Sequence, residues 1–420
     1  MNFAVVNLGC KVNRVESDAF AAALIARGGA AVPERDASLI VVNTCTVTGE
    51  AEKKTRKAVR RALRESDAAA VVVTGCAAAI DSAAYEAMDE RVRVVAKGEL
   101  LTQIERGAWD GAGDPALDEN FPCAPAPATL PLGAGFRTRV GVKVQDGCDN
   151  ACTYCIVHVA RGRATSRPAD EVAAECAALA AAGAREIVLT GINLGSYCDG
   201  ARRDEAAVRL AGLLERLLRE TEHLSAEGEA PCRFRVSSIE PRDVDQAFVD
   251  LLASADGRVC RHLHLPLQSG SSKVLREMAR PYDAERYAAL VDLLRKRVPG
   301  ISLSTDVIVG FPGETDGEFQ ETLDLARRCG FSKIHVFPYS RREGTPAAAR
   351  PDQVSPAVKA ARAASLRALG DHLRAADLAH RAGTMEFALV EEGGVAMTES
   401  YFEVPAPAGA PVGTLAPVAL

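Results

Sequence analysis

The 420-residue chain holds no long apolar run and no excess of positive charge. Nothing in it approaches the roughly 20 consecutive apolar residues of a membrane-spanning helix, which excludes a helical membrane protein. The first ten residues, MNFAVVNLGC, have no basic stretch ahead of their apolar one. They read as a buried strand and not as a secretory signal, so a cytoplasmic protein is expected. With 50 Lys and Arg against 56 Asp and Glu the formal charge is −6. That excludes indiscriminate nucleic-acid binding and leaves only a local basic face for such a partner. A disulfide framework is not expected, because thiols inside cells are kept reduced. Yet there are 12 cysteines, so clustered ones point to metal or redox chemistry.

A chain this long is expected to form more than one domain. Residues 1–106 alternate apolar strands (NFAVVNLGC, LIVVNTCTV, AAVVVTGCAAA, VRVVAK) with amphipathic helices (NRVESDAFAAALIARGG, EAEKKTRKAVRRALRES). This is the pattern of a doubly wound parallel α/β domain. Residues 107–137, rich in Gly, Ala and Pro, read as a linker, with Cys123 incidental inside it. Over 138–350 six further strands (RVGVKVQ, EIVLTGI, RFRVSSI, HLHLPLQ, SLSTDVIVG, KIHVFPYS) alternate with helical stretches. They predict a partial (β/α)6 barrel. A helical connection over 351–382 and a small β module over 383–420 complete the expected organisation.

Cys10, Cys45 and Cys76 end the first three strands, in LGCK, NTCT and TGCA. Ligands of open α/β sheets sit beyond the carboxyl ends of the strands. Strands far apart in sequence would therefore deliver three thiols to one edge. Three small buried residues are the plain alternative, but recurrence at equivalent positions favours a metal cluster. A second trio, Cys148, Cys152 and Cys155, lies in GCDNACTYC directly after the first barrel strand. A structural zinc takes four protein ligands, and His158 is the only nearby candidate for a fourth. Three thiolates at C-x3-C-x2-C spacing suit a [4Fe–4S] cluster with one iron open to a small chelating ligand.

C-x3-C-x-aromatic-C after the first strand of a partial barrel resembles the radical S-adenosylmethionine (SAM) superfamily. The fuller series NLGCKVNRVESD, VNTCTVT, VTGC, GCDNACTYCIV, ARGRATSR, EIVLTGINLGSY, SSIEP, HLHLPLQSGS, TDVIVGFPGET and VFPYSRREGTPAA resembles, in order, the methylthiotransferases of the MiaB/RimO/MtaB group. The resemblance implies two [4Fe–4S] clusters: a radical SAM cluster on Cys148, Cys152 and Cys155, and an auxiliary one on Cys10, Cys45 and Cys76. It implies SAM contacts from Tyr154 beside the adenine, from the backbone at Gly191 and Gly195, and from Ser238 and Glu240. Gln268 would meet SAM or the target base, and Ile308 and Gly310 would pack against the adenine. A turn is the plain alternative for the two glycines, a solvated loop carboxylate for Glu240, and a core position for Ile308 and His264.

The resemblance further implies a tRNA substrate, a reductant such as flavodoxin or ferredoxin, and no membrane partner; it leaves the oligomeric state open. GCKVN and NTCTVT resemble the branch that methylthiolates C2 of N6-threonylcarbamoyladenosine at tRNA position 37. Isopentenyladenosine-37 and a ribosomal-protein aspartate are the alternative targets. A non-catalytic Fe–S RNA-binding protein is the alternative outside this chemistry.

Two charge features bear on RNA. Lys53, Lys57, Arg60 and Arg64 recur at i+3 and i+4 and share one helix face, a stripe that suits tRNA phosphates; a solvated helix face is the alternative. The tail from Thr384 to Leu420 has five Glu and no Lys or Arg. It is expected to be a shortened TRAM-like module that cannot bind RNA mainly by counterion release.

Overall fold

The computed structural model describes residues 1–107, 138–201, 204, 206–224 and 230–420. The expected linker, apart from Gly107, lies outside the described residues, as does Cys123. The chain divides into two compact units, Met1–Leu130 with Cys155–Arg163, and Pro131–Tyr154 with Ala164–Leu420. Among the described residues no helix is long and apolar enough to cross a membrane.

The first unit is built on strands β1 (Asn2–Asn7), β2 (Ala30–Ala31), β3 (Leu39–Thr44), β4 (Ala70–Gly75) and β5 (Val92–Val94). They form one parallel sheet in the order β2-β1-β3-β4-β5. Helices α1 (Lys11–Ala26) and α2 (Gly49–Glu65) cover opposite faces. Phe20 and Leu24 of α1 pack with Leu39 and Val41, while Val59 and Ala62 of α2 pack with Ile40 and Val42. Alternate residues of a strand point to opposite faces, so β3 is buried on both sides, which is why it opens on the apolar run Leu39, Ile40, Val41 and Val42. Short helices α3 (Cys76–Ile80) and α4 (Ser82–Glu86), then α5 (Lys97–Glu105) and α6 (Val157–Arg161), complete the unit. Because β1, β3 and β4 are neighbours and parallel, the ends carrying Cys10, Cys45 and Cys76 share one sheet edge.

The second unit carries the six strands expected of the barrel. Strand β6 (Arg139–Lys143), Glu186–Thr190 and Arg233–Val236 pair in parallel with Glu186–Thr190 central. His262–His264, Ser302–Val309 and Lys333–Pro338 do the same around Ser302–Val309. The two sets meet through a bridge between Phe234 and Val259 and an Ile239 N–H donated to the His264 carbonyl at 3.0 Å. Ile187, Leu189, Phe234, Leu263, Leu303 and Val307 lead the core against the surrounding helices. Helix Pro356–Arg381 starts where the Ser355 hydroxyl accepts the Val358 N–H. It leads into a four-stranded antiparallel sheet formed by Met385–Glu391, Val395–Thr398, Glu403–Pro405 and Leu415–Ala419.

The acidity of the tail has an intramolecular reason. Glu391 pairs with Arg139 at 2.7 Å, Glu399 with Arg261 at 2.8 Å and Glu386 with Arg381 at 3.4 Å. Deeper, Glu186 lies fully buried between Arg233 at 2.6 Å and Arg235 at 2.7 Å. The two guanidinium groups also donate to the carbonyls of Phe387, Met397, Thr398 and Glu399. The module's acids thus meet cations from the barrel and from the helix Pro356–Arg381.

Candidate metal centres

At the carboxyl edge of the first unit's sheet, Cys10 precedes α1, Cys45 follows β3 and Cys76 opens α3. Two glycines allow their approach. Gly9 has φ +115°, and a Cβ there would lie 2.7 Å from Cβ and 2.8 Å from Sγ of Cys45. Gly75 has φ +94°, and a Cβ there would lie 2.4 Å from Oδ1 of Asn43. Both conformations are ones that L side chains rarely adopt. A polar lattice then fixes the loops. Asn13 Nδ2 donates to the carbonyls of Leu8 at 3.2 Å and Thr44 at 2.7 Å, and Thr44 Oγ1 accepts from the N–H groups of Ala77 and Ala78 at 3.1 Å. The Cys10 thiol donates to Asn13 Oδ1 at 3.2 Å.

A buried cation enters this edge. Arg161, on α6, donates from Nε to Cys76 Sγ at 3.0 Å, from Nη2 to Asn13 Oδ1 at 2.8 Å, and from Nη1 and Nη2 to the two oxygens of Glu16 at 3.0 and 3.2 Å. Its side chain is 0% exposed. Burial pushes the Cys76 thiol above its ordinary value, and Arg161 works against that rise; burial likewise raises Cys45. A fully buried guanidinium donating to sulfur fits an anionic thiolate site better than a neutral thiol.

Among the described residues, His264, Asp306 and His335 bring three potential ligand atoms within 4.8 Å of one another. Three thiols at the sheet edge fall one short of the four protein ligands of a structural zinc and suit a cluster that seats each thiolate on a different iron.

In the second unit, Cys148 and Cys152 follow β6. Cys148 Sγ accepts the Asn150 N–H at 3.4 Å, and burial raises its thiol. Cys152, buried, accepts from Arg280 Nη1 at 3.1 Å. Arg280 also donates from Nε to the Tyr282 hydroxyl at 3.1 Å and from Nη2 to Glu240 Oε2. Burial alone would favour deprotonating Arg280, but Tyr154 and Glu240 hold it charged. Thr153 is pinned by its hydroxyl to the Glu277 carbonyl at 2.8 Å and by its N–H to Met278 O at 3.1 Å. Cys155 opens the segment that belongs to the first unit, and its sulfur accepts the Val157 N–H at 3.4 Å. His158 is exposed on α6.

The remaining residues singled out from the sequence separate into groups. Tyr154 and Ile308 both pack on the small cluster of Val274, Met278, Phe311, Tyr339 and Ala347, apart from the main core. Glu240 is held by Arg280, and Ser238 is half-buried just past Arg233–Val236. Gln268 is buried at φ +69°, an uncommon state for a residue other than Gly. Its N–H donates to Asp306 O at 2.8 Å and its carbonyl accepts the Ile308 N–H at 2.9 Å. Tight packing accounts for three of the glycines. A Cβ at Gly191 would lie 2.9 Å from Gln145 Oε1, one at Gly195 2.4 Å from Asp243 Cβ, and one at Gly310 2.4 Å from Lys359 Cγ.

His264 is a strand residue with satisfied nitrogens. Its Nδ1 meets Ser304 Oγ at 3.0 Å and its Nε2 faces Asp306 at 3.3 Å. Asp306 lies two residues before Ile308 and shares its strand face. On α2, Lys53, Lys57, Arg60 and Arg64 are all exposed and make no ion pair with the described residues. Their neighbours Lys54, Arg56 and Arg61 pair with Glu50, Glu52 and Glu34. Sequence reasoning missed Arg161 and Arg280; the ARGRATSR motif contained the first without marking which arginine turns inward.

Two family models match, the radical SAM superfamily over residues 142–326 and the uncharacterized protein family UPF0004 over residues 2–97. The threonylcarbamoyladenosine tRNA methylthiotransferase MtaB of Bacillus subtilis is 38% identical, over 87% of this chain and 79% of its own length. The like-named protein of Chlamydia pneumoniae is 35% identical over 96% and 90%. The tRNA-2-methylthio-N(6)-dimethylallyladenosine synthase of Sorangium cellulosum is 36% identical over 93% and 81%. Among solved structures, the radical SAM methyltransferase TsrM of Kitasatospora setae aligns with a TM-score of 0.55 and 18% identity, over 83% of this chain and 77% of that one. This last is a likeness of fold.

Proposed function

The chain belongs to the radical SAM methylthiotransferases, and from that premise we propose that it adds a methylthio group to C2 of N6-threonylcarbamoyladenosine at position 37 of tRNA. The observation that carries this reading is the gathering of Cys10, Cys45 and Cys76 at one sheet edge beside buried Arg161, in a chain that separately contains GCDNACTYC. Cys148, Cys152 and Cys155 are taken as ligands of a [4Fe–4S] cluster, and Cys10, Cys45 and Cys76 as ligands of a second. When bound, the clusters and SAM supply electron transfer, a carbon radical and the sulfur to be inserted.

The protein's own part is charge and shape. Arg280 offsets the negative charge at Cys152 and holds the Glu240 carboxylate still, so that Glu240 can receive an ammonium or a ribose hydroxyl without reorganising. Tyr154 and Ile308 offer an apolar wall for adenine. The backbone that holds Gln268 left-handed directs its amide, and such strain is characteristic of functional positions. A flavodoxin- or ferredoxin-type reductant is required, and tRNA places the protein in the cytoplasm.

Two features support threonylcarbamoyladenosine over dimethylallyladenosine. GCKVN and NTCTVT resemble the motif forms of that branch. The polar group of His264, Asp306 and His335, on the strand of Ile308 and the two strands paired with it, suits a polar N6 substituent better than an apolar one. Mass spectrometry of tRNA nucleosides from a deletion strain tests this. The methylthio-threonylcarbamoyl nucleoside should vanish and return with the gene. Loss of the methylthio-dimethylallyl nucleoside instead, or of neither, would refute the assignment.

The exposed stripe on α2 supports a tRNA-binding face. Arg60→Gln/Arg64→Gln should weaken tRNA binding on the order of tenfold near 0.1 M salt and flatten the log K against log salt plot by about 1 per residue. Filter binding across a salt series measures this; an unchanged slope would remove α2 from the interface.

A further inference from the structure

We propose that Arg161 is a positioning residue of the auxiliary cluster: held by Glu16 and Asn13, it fixes the Cys76 thiolate and sets how readily that cluster accepts an electron. The inference rests on the reading that Cys10, Cys45 and Cys76 hold a cluster. Arg161 commits at least four of its five N–H donors, one to sulfur, one to Asn13 and two to Glu16. The two-pronged grip of Glu16 is the geometry that fixes a guanidinium plane most firmly. Lys97 approaches the same carboxylate at 4.0 Å, so Glu16 is shared between two cations. The Arg161 guanidinium thus faces the Cys76 sulfur as a positive charge, and a thiolate bound to an iron–sulfur core would face it as the negative one.

Position in the chain adds a second point. Arg161 stands six residues after Cys155 in a short segment that belongs to the first unit. The other cysteine loop repeats the device within the second unit, where Arg280 donates to Cys152 at 3.1 Å and pairs with Glu240. Two unrelated loops therefore each place one Glu-held arginine on one cysteine sulfur, which points to a requirement of the sulfur site and not of the local fold.

The potential of an iron–sulfur cluster follows net charge and hydrogen bonds to sulfur. Reduction adds negative charge, so Arg161 stabilises the reduced form and Glu16 opposes it. The test uses the full chain carrying Cys148→Ala, Cys152→Ala and Cys155→Ala, reconstituted without oxygen, so that only the auxiliary cluster forms. Iron, sulfide and an electron paramagnetic resonance redox titration are the readouts. Arg161→Gln should make reduction about tenfold less favourable, ~59 mV downward for one electron. Arg161→Lys should restore part of the shift, and Glu16→Gln should move the potential upward.

Opposite movement in the two neutralising variants is the signature, because a purely structural pair would lose iron in the same way from either side. Unchanged potentials, or equal loss of iron in Arg161→Gln and Glu16→Gln, would overturn the proposal. If the parent triple variant binds no iron, the auxiliary cluster itself is refuted, and that result is distinct from the others.

Discussion

Cys152→Ala is expected to lower 5′-deoxyadenosine formation from SAM by at least about a thousandfold, ~4 kcal/mol in barrier terms. On the proposed reading the loop supplies three thiolates to a cluster with one open iron, so it has no spare ligand. The same change strands Arg280, whose Nη1 lies 3.1 Å from the Cys152 sulfur, and loosens its hold on Glu240. Cys148→Ala and Cys155→Ala should behave alike. Cys76→Ala, together with Cys10→Ala and Cys45→Ala, should instead leave SAM cleavage in place and abolish only the methylthio product, since in the proposed function these residues serve the sulfur. Reduced, reconstituted protein assayed by chromatography and mass spectrometry separates the two outcomes. Iron content provides a second readout, with about eight irons per chain in the parent and about four in either class of variant. Persistent cleavage by Cys152→Ala, or normal thiolation by Cys76→Ala, would sink the division of labour between the two trios.

The largest stability effect is expected at Glu186. Glu186→Ala removes the anion between Arg233 and Arg235, whose side chains are 4% and 1% exposed. Breaking one side of a buried ion cluster typically costs about 3–5 kcal/mol, because the remaining charges stay buried. Burial by itself would raise the Glu186 carboxyl, but Arg235 and Arg233 overcome it and hold the group at about 2 against an ordinary 4.5. The folded value lies below the unfolded one. The stabilisation is therefore fully present above pH 4.5 and drains away as the pH falls toward 2. A shift of that size is worth about 3 kcal/mol. Thermal melts at pH 7, 4.5 and 3 should show the wild type losing stability steeply in the lower interval and Glu186→Ala starting lower but falling less. Parallel curves would mean that Glu186 is not the acid-sensitive group. Because Arg233 and Arg235 also bind carbonyls of the last β module, that module's protease resistance should fall with the same variant.

How much of this was legible in the sequence depended on how far each residue reaches. Strand–helix alternation is a local pattern, and it sufficed for the parallel sheet and the six barrel strands. Cysteine at the end of β1, β3 and β4 was legible for the same reason: each motif sits on its own strand, and parallel pairing of neighbours brings the ends together. The C-x3-C-x2-C spacing is shorter still. The partners of Arg161 lie 85 to 148 residues away and the cysteine that Arg280 meets is 128 residues away, with no period linking them. Gly191 and Gly195 could be singled out by position, but that a Cβ there would meet Gln145 and Asp243 could not be read along the chain.

The sequence by itself determined the alternating architecture, the two trios of sulfur and the family, because these depend on local periodicity and short spacings. Only the tertiary structure decided which arginine faces which sulfur, and that the acidic tail answers cations on the barrel. Electrostatic partnership in a buried site is set by the fold's long-range closure, which leaves no repeating mark along the chain.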